Sequence, residues 1–440
     1  MRLIKNFYGD MTKFQNSIDF AREMDQNDPL KDFRAKFYFP QMNGKDVIYL
    51  TGNSLGLQPR TTQDLVLQEL EDWASWGVEG HFHARNPWFS YQEILTNQIA
   101  EILGAKSSEV VSMNSLTTNL HLLMVSFYRP TKTRYKIICE YDAFPSDHYA
   151  LQSQASFHGF DPDDAIILLK AREGEHTLRT EDIIRTIDEN KDSLCTLMLG
   201  AVNYYTGQLF DIDKITDAAH KVGATVGYNL AHAAGNVRLR LHDWDVDFAC
   251  FCSYKYLNAG PGGVSGIFVH ERFAKDKSLK RFAGWWGNDP ATRFKMHRHF
   301  EPAEGASGWQ LSNAPVLSMA ALKASLDIFS EAGIDKLVSK SILLTGYLEY
   351  LINTINSEIK NTGAEAPINI ITPSDPEERG CQLSLILKNN GKEIYQNLMK
   401  EGVIVDWREP DVIRAAPVPL YNSFIDIFRF SELLRKFVIK

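Results

Sequence analysis

The chain has 440 residues, 44% of them hydrophobic and 23% charged, and carries a formal net charge of −8. That length exceeds the size at which one hydrophobic core usually stops growing, so two domains are expected, and an acidic balance with no polybasic run argues against a nucleic-acid surface. No apolar run approaches membrane-spanning length, and five cysteines without paired metal-ligand spacing are expected to be reduced thiols, so the sequence predicts a cytoplasmic protein that does not use a membrane.

Residues 1–50 read as an N-terminal arm, polar and helix-prone as far as about Asp46, with Phe33, Phe37, Tyr38 and Phe39 as docking contacts. The next stretch, Thr51-Gly-Asn-Ser-Leu-Gly56, would expose backbone at a site entrance, or be a plain turn. A helical pattern over Thr61–Ser75 precedes a loop, Gly77–Trp88, rich in glycine, histidine and aromatics. His81/His83 and His297/His299 have no companion ligand cluster, so no metal is predicted.

From about residue 108 to 270 short apolar runs alternate with helical stretches, the pattern of a mostly parallel sheet. The strands are expected at Val110–Met113, Tyr135–Cys139, Ile166–Lys170, Thr196–Val202, Thr225–Tyr228, Phe248–Cys252 and Gly266–Val269. Leu116 and Thr117 open a helical pattern, and free N–H groups at such a terminus suit a phosphate, although most helix starts bind nothing. Ala143-Phe-Pro-Ser-Asp147 offers an aromatic face and a carboxylate for a flat ring with a nitrogen, or is a capped turn.

The sixth strand, Phe248–Cys252, ends just before Tyr254 and Lys255 and a turn that contains Gly260, Gly262 and Gly263. Parallel sheets bind ligands at the carboxyl ends of their strands, and desolvation lowers a lysine's pKa enough for its free amine to condense with an aldehyde such as that of pyridoxal phosphate. Taken alone, the stretch would serve equally as a strand that ends in a solvated lysine.

The motifs Phe144-Pro-Ser-Asp147, Asn229-Leu-Ala-His-Ala-Ala-Gly-Asn236, Ser253-Tyr-Lys-Tyr-Leu-Asn258, Gly284-Trp-Trp-Gly287 and Arg414-Ala-Ala-Pro-Val-Pro-Leu-Tyr-Asn422, in this order, resemble the kynureninase family from about Leu50 onward. The resemblance implies a fold-type I pyridoxal-phosphate-dependent, transferase-like α/β fold. It has a large domain built on a mostly parallel seven-stranded sheet, a smaller C-terminal α+β domain, and usually a homodimer with shared sites. It makes Lys255 the Schiff-base lysine and Tyr254 a phosphate contact that assists proton transfer. Leu116, Thr117, Phe144, Asp147, Asn229, His232, Trp285 and Asn313 become cofactor contacts, some from a second subunit, and Arg414 a clamp for the substrate carboxylate. The implied reaction is hydrolysis of kynurenine or 3-hydroxykynurenine to an anthranilate and alanine, in tryptophan degradation and NAD biosynthesis. His81 and Asn313 match relatives that prefer the hydroxylated substrate.

Two positions depart from the family pattern. Asn229 stands where the motif has aspartate, and an amide stabilises a pyridinium far less than a carboxylate does, so weakened activity is expected. Gly200 stands where serine is common and removes a hydroxyl. The alternatives are a homologue that binds the cofactor with little turnover, or another enzyme of the same fold such as a cysteine desulfurase or aminotransferase. Helices over Ala320–Ser330 and Asp335–Asn353, then strands at Ile368–Ile371 and Gln382–Leu387, complete the chain, which divides into a large domain at 51–310 and a small one at 311–440.

Overall fold

A computed structural model describes residues 13–439. All seven expected apolar runs form strands of one sheet: β1 Val110–Ser112, β2 Lys136–Glu140, β3 Ile166–Leu169, β4 Leu194–Gly200, β5 Thr225–Asn229, β6 Phe248–Phe251 and β7 Gly266–Val269. Their spatial order is β1-β7-β6-β5-β4-β2-β3. The pairings from β6 through to β3 are parallel, and only β7 opposes its neighbours β6 and β1. Every residue of β1, β6 and β7 is buried, as expected of strands covered on both faces, which is why they appear in the sequence as continuous apolar runs without alternation. Three neighbouring strands, β5, β4 and β2, end in Asn229, Gly200 and Glu140.

The helices of interest are α1 Ile18–Asn27, α2 Thr62–Trp76, α3 Glu93–Leu103, α4 Leu116–Phe127, α5 Pro145–Phe157, α6 Ile212–Lys221, α7 Val316–Ala332, α8 Ile334–Lys360 and α9 Phe424–Val438. The start of α6 is set by Asp211, whose side chain accepts from Lys214 N–H. In α5, Pro145 sits in the first turn, where its missing N–H costs nothing. The stretch expected as a loop at Gly77–Trp88 holds a helical turn at Gly80–His83. Its Gly80 lies so close to Trp88 that a Cβ there would come within 2.4 Å of the indole, so only glycine lets the ring close the turn.

A second sheet, β8 Ile368–Ile370, β9 Leu383–Leu387, β10 Asp406–Arg408 and β11 Val412–Ala415, is antiparallel throughout in the order β8-β9-β11-β10. One apolar core joins the large sheet to α3 and α7; a second joins the small sheet to α9, to α8 from Leu343 onward, and to Ala21 and Met24 of α1. The N-terminal segment is thus built into the second core, and a buried ion pair of 2.7 Å between Lys340 and Asp28 ties it to α8. No helix among the described residues is long and apolar enough to cross a membrane.

Candidate active site

A cavity of about 380 Å³ opens where β2, β4 and β5 end. Of the residues singled out in the sequence, Leu116, Thr117, Phe144, Asp147, Asn229, His232, Tyr254, Lys255 and Arg414 line it, and Asn53 and Ser54 of the Thr51–Gly56 turn join them. His81, Trp285 and Asn313 do not. His81 packs edge-on to Trp88 at 5.6 Å, the half-exposed Trp285 donates its indole N–H to the Arg293 carbonyl at 3.1 Å, and Asn313 is exposed.

Lys255 Nζ lies 2.8 Å from His232 Nε2 and 5.9 Å from the centre of the Phe144 ring. Burial pushes the Lys255 amine below its ordinary range, and nearby Arg414 acts in the same direction. Burial also pushes His232 well down, with Lys255, Arg414 and Arg408 adding to the effect, so its imidazole is neutral and Nε2 accepts from the lysine. Tyr254 is pushed up to about 12 by burial and keeps its proton at neutral pH.

At the start of α4, the Ser115 side chain makes no capping hydrogen bond, so first-turn N–H groups stay unused beside the cavity. The Thr117 hydroxyl meets that of Ser146 at 2.8 Å, bringing together two hydroxyls from α4 and α5. The half-exposed Phe144 stands at the rim, edge-on to Tyr204 at 5.4 Å.

The floor is acidic and unevenly protonated. Burial lifts Asp147 to about 6, opposed by its hydrogen bond from Asn229, and lifts the fully buried Glu140 to about 8, opposed by backbone N–H groups including that of Gly200. At neutral pH Asp147 is therefore mostly ionised and Glu140 mostly a neutral acid. Asn229 donates through Nδ2 to both Asp147 oxygens, at 3.0 and 2.8 Å, while its Oδ1 accepts from Ala231 N–H at 2.9 Å. That network fixes the amide orientation: the donor side faces the carboxylate.

Sequence reasoning missed Glu140, Tyr204 and Arg408, all of which line the cavity. Glu140 was legible in part, as a charge that follows the apolar run Ile137–Cys139. Tyr204 and Arg408 gave no local signal, because their positions depend on how the two sheets meet.

Comparison with known proteins fits this geometry. A class-V aminotransferase family model matches residues 48–372, and a kynureninase C-terminal domain model matches residues 337–434. A kynureninase from Flavobacterium psychrophilum is 54% identical over 427 residues, covering 97% of this chain and 99% of the relative. The chain belongs to the kynureninase family. A kynureninase from Mus musculus is 48% identical over 427 residues, covering 94% of this chain and 92% of the relative. Among solved structures, a cysteine desulfurase from Thermococcus onnurineus superposes with a TM-score of 0.71 at 16% identity, covering 89% of this chain and 95% of its own. That likeness is one of fold, the fold-type I arrangement. As a kynureninase-family member the chain is a hydrolase of carbon–carbon bonds, with pyridoxal 5′-phosphate as its cofactor. The cavity suits that group: it combines an amine of lowered basicity, hydroxyls beside unused helix N–H groups, an aromatic rim and an acidic floor.

Proposed function

We propose that the enzyme hydrolyses the Cβ–Cγ bond of 3-hydroxykynurenine in preference to kynurenine, releasing 3-hydroxyanthranilate and alanine, at a rate held down by Asn229. The observation that carries the site assignment is Lys255, its basicity lowered by burial, 2.8 Å from a neutral His232 in a cavity that also holds Arg414. Leu116 and Thr117 at the start of α4 would hold the cofactor phosphate, Phe144 and His232 would flank its ring, and Asp147 with Asn229 would meet the ring edge. When bound, pyridoxal phosphate supplies an electron sink for bond changes at the substrate's α-carbon.

The protein's own groups do the rest. Lys255, its basicity lowered by burial, removes the α-proton and returns it, and His232 orients that amine by accepting its hydrogen bond. Tyr254, protonated at neutral pH, serves as a general acid for the carbonyl that is hydrated before cleavage. Arg414 receives the α-carboxylate. Asn229 turns an N–H toward Asp147, so Asp147 would be the one carboxylate available to favour a protonated ring nitrogen.

The test is steady-state turnover of both substrates by the cofactor-saturated enzyme and its Asn229→Asp variant. The expected result is faster turnover of the hydroxylated substrate and a gain of about tenfold or more in the variant, equivalent to about 1.4 kcal/mol of barrier. No gain in the variant sinks the explanation through Asn229. Turnover only in the variant favours the second reading, a protein that binds the cofactor with little turnover, for which Asn229 is the specific support.

The same proposal includes a homodimer in which a second copy contributes His81, Trp285 and Asn313. Its support is that these three residues lie off the cavity of their own chain and that Trp285 belongs to a partly exposed aromatic group with Phe82, Phe89 and Phe294. Mixing Lys255→Ala with Asn313→Ala would then regenerate some intact sites and activity; no recovery would argue against shared sites. We further propose an arm of residues 1–50, a large domain of 51–310 and a small domain of 311–440, with α8 contributing to both cores. A cytoplasmic location, checked by cell fractionation, is supported by five unpaired cysteines.

A further inference from the structure

Arg414 is fully buried, yet much of its hydrogen-bonding capacity is already used within the chain. In the β10–β11 register it lies opposite Asp406. Its Nε donates to Asp406 Oδ2 at 2.5 Å, its Nη2 pairs with the same oxygen, and its Nη1 donates to the Tyr204 carbonyl at 2.6 Å. A guanidinium has five N–H groups in a planar fork, so one hydrogen remains on each terminal nitrogen. Two such hydrogens suffice for paired hydrogen bonds to a carboxylate.

The same Asp406 oxygen lies 3.1 Å from Arg408 Nε, and Arg408 also lines the cavity. The two arginines differ in access: the Arg408 side chain is 35% exposed and that of Arg414 is 1% exposed. Two guanidiniums and one carboxylate leave a single net positive charge at this wall, which one further carboxylate neutralises. The Tyr204 ring, 5.7 Å from the Arg414 guanidinium and edge-on to Phe144, connects this wall to the cofactor end of the cavity.

We propose that Asp406 is a positioning residue for substrate selection: it fixes Arg414 with two N–H groups free for the α-carboxylate and holds Arg408 alongside, so that two guanidiniums, not one, receive that carboxylate. This rests on the reading that the cavity binds an amino acid through Arg414. A purely structural Asp406 would neutralise buried Arg414 and affect all ligands alike. A positioning Asp406 affects only ligands that carry the carboxylate.

The experiment uses the cofactor-loaded enzyme and two probes, kynurenine and the matching amine that lacks the carboxylate (kynuramine). Dissociation constants come from how the amplitude of the change in visible absorbance of the bound cofactor depends on probe concentration immediately after rapid mixing, before kynurenine is turned over. The unaltered enzyme is expected to prefer kynurenine, and Arg414→Gln to abolish that preference. Asp406→Asn should lower the preference by about tenfold or more, the scale of one lost charge-assisted contact, with amine affinity changed less than about threefold. Asp406→Glu should recover part of it, and Arg408→Gln should lower it severalfold.

If Arg414→Gln keeps the preference, the underlying reading of Arg414 fails. If Arg414→Gln abolishes it but Asp406→Asn keeps or strengthens it, the positioning role alone is overturned. Should Asp406→Asn fail to fold, an unchanged preference in Arg408→Gln overturns the two-guanidinium receptor.

Discussion

Asn229→Asp should destabilise the cofactor-free protein. Nδ2 of Asn229 sits 3.0 and 2.8 Å from the two Asp147 oxygens, so an oxygen in its place sets two buried carboxylates in direct contact. At about 2.9 Å and an effective dielectric near 20, two full charges repel by about 6 kcal/mol. At 1.36 kcal/mol per pH unit, that repulsion equals about four pH units. Because burial already raises Asp147, the added repulsion makes the pair keep one proton to well above neutral pH, with the protonated partner donating much as the amide does now. The folded variant thus holds a proton that its unfolded chain releases near pH 4, so its stability falls as pH rises toward the raised value. Between about pH 7 and 8, above the range around 6 where Asp147 itself titrates in the parent, the variant should lose ground by about 1.4 kcal/mol per pH unit. Denaturant unfolding of both cofactor-free proteins across that range measures the gap. Saturating cofactor should narrow it, because a protonated ring nitrogen gives the second carboxylate a partner. A gap that stays constant with pH would refute the proposed contact.

Three further outcomes are expected. Lys255→Ala should fold and unfold cooperatively yet lose the visible absorbance of covalently held cofactor; an unchanged band would mean that another group holds it. Glu140→Gln should gain stability over the parent as pH rises from about 5 to 8, because the parent's buried acid, lifted to about 8, holds a proton that the unfolded chain releases near 4.5. Unfolding curves at pH 5 and 8 measure this, with a gain of a few kcal/mol expected and a pH-independent difference contrary to it. His81→Ala and Asn313→Ala should each lower kcat/KM for 3-hydroxykynurenine about tenfold more than for kynurenine, as expected when a hydrogen bond to the ring hydroxyl is lost; equal losses would assign them to packing.

Most strands of the large sheet were legible because they are largely buried on both faces, and apolar runs bounded by polar turns survive any tertiary context; β3, only partly buried at the sheet edge, was legible from its run Ile-Ile-Leu-Leu. Lys255 was legible for a related reason: it follows such a run and precedes glycines, a local pattern. The second core was harder to see. Ala21 and Met24 pack against residues more than 300 positions away, and nothing in the arm's polar composition signals that partner. The cavity wall formed by Tyr204 and Arg408, and the Asp406 that pairs with Arg408, was hidden for the same reason, since it exists only where a loop after β4 meets the edge of the small sheet. His81, Trp285 and Asn313 illustrate a different limit: family resemblance names such residues, whereas one chain's fold keeps them off its own cavity.

The two positions singled out in the sequence, Gly200 and Asn229, carry more meaning in three dimensions than they did in sequence. Gly200 and Asn229 are partners in the β4–β5 register, and Gly200 N–H donates to Glu140 Oε1 at 2.9 Å. A Cβ at position 200 would lie 3.1 Å from that same oxygen, so a serine fits only if the Glu140 carboxyl moves by a few tenths of an ångström. The hydroxyl absent from Gly200 and the carboxylate absent from Asn229 thus border one acidic floor, in which Glu140 holds a proton at neutral pH and Asp147 holds a negative charge. Adding a carboxylate at 229 loads the ionised end of that floor, and adding a side chain at 200 shifts its protonated end. Because the two sites are adjacent and the acids are electrostatically coupled, their effects on cofactor binding should not be additive. If the double variant Gly200→Ser/Asn229→Asp shows the sum of the single effects on cofactor affinity, the two positions are independent and the floor is not one electrostatic unit.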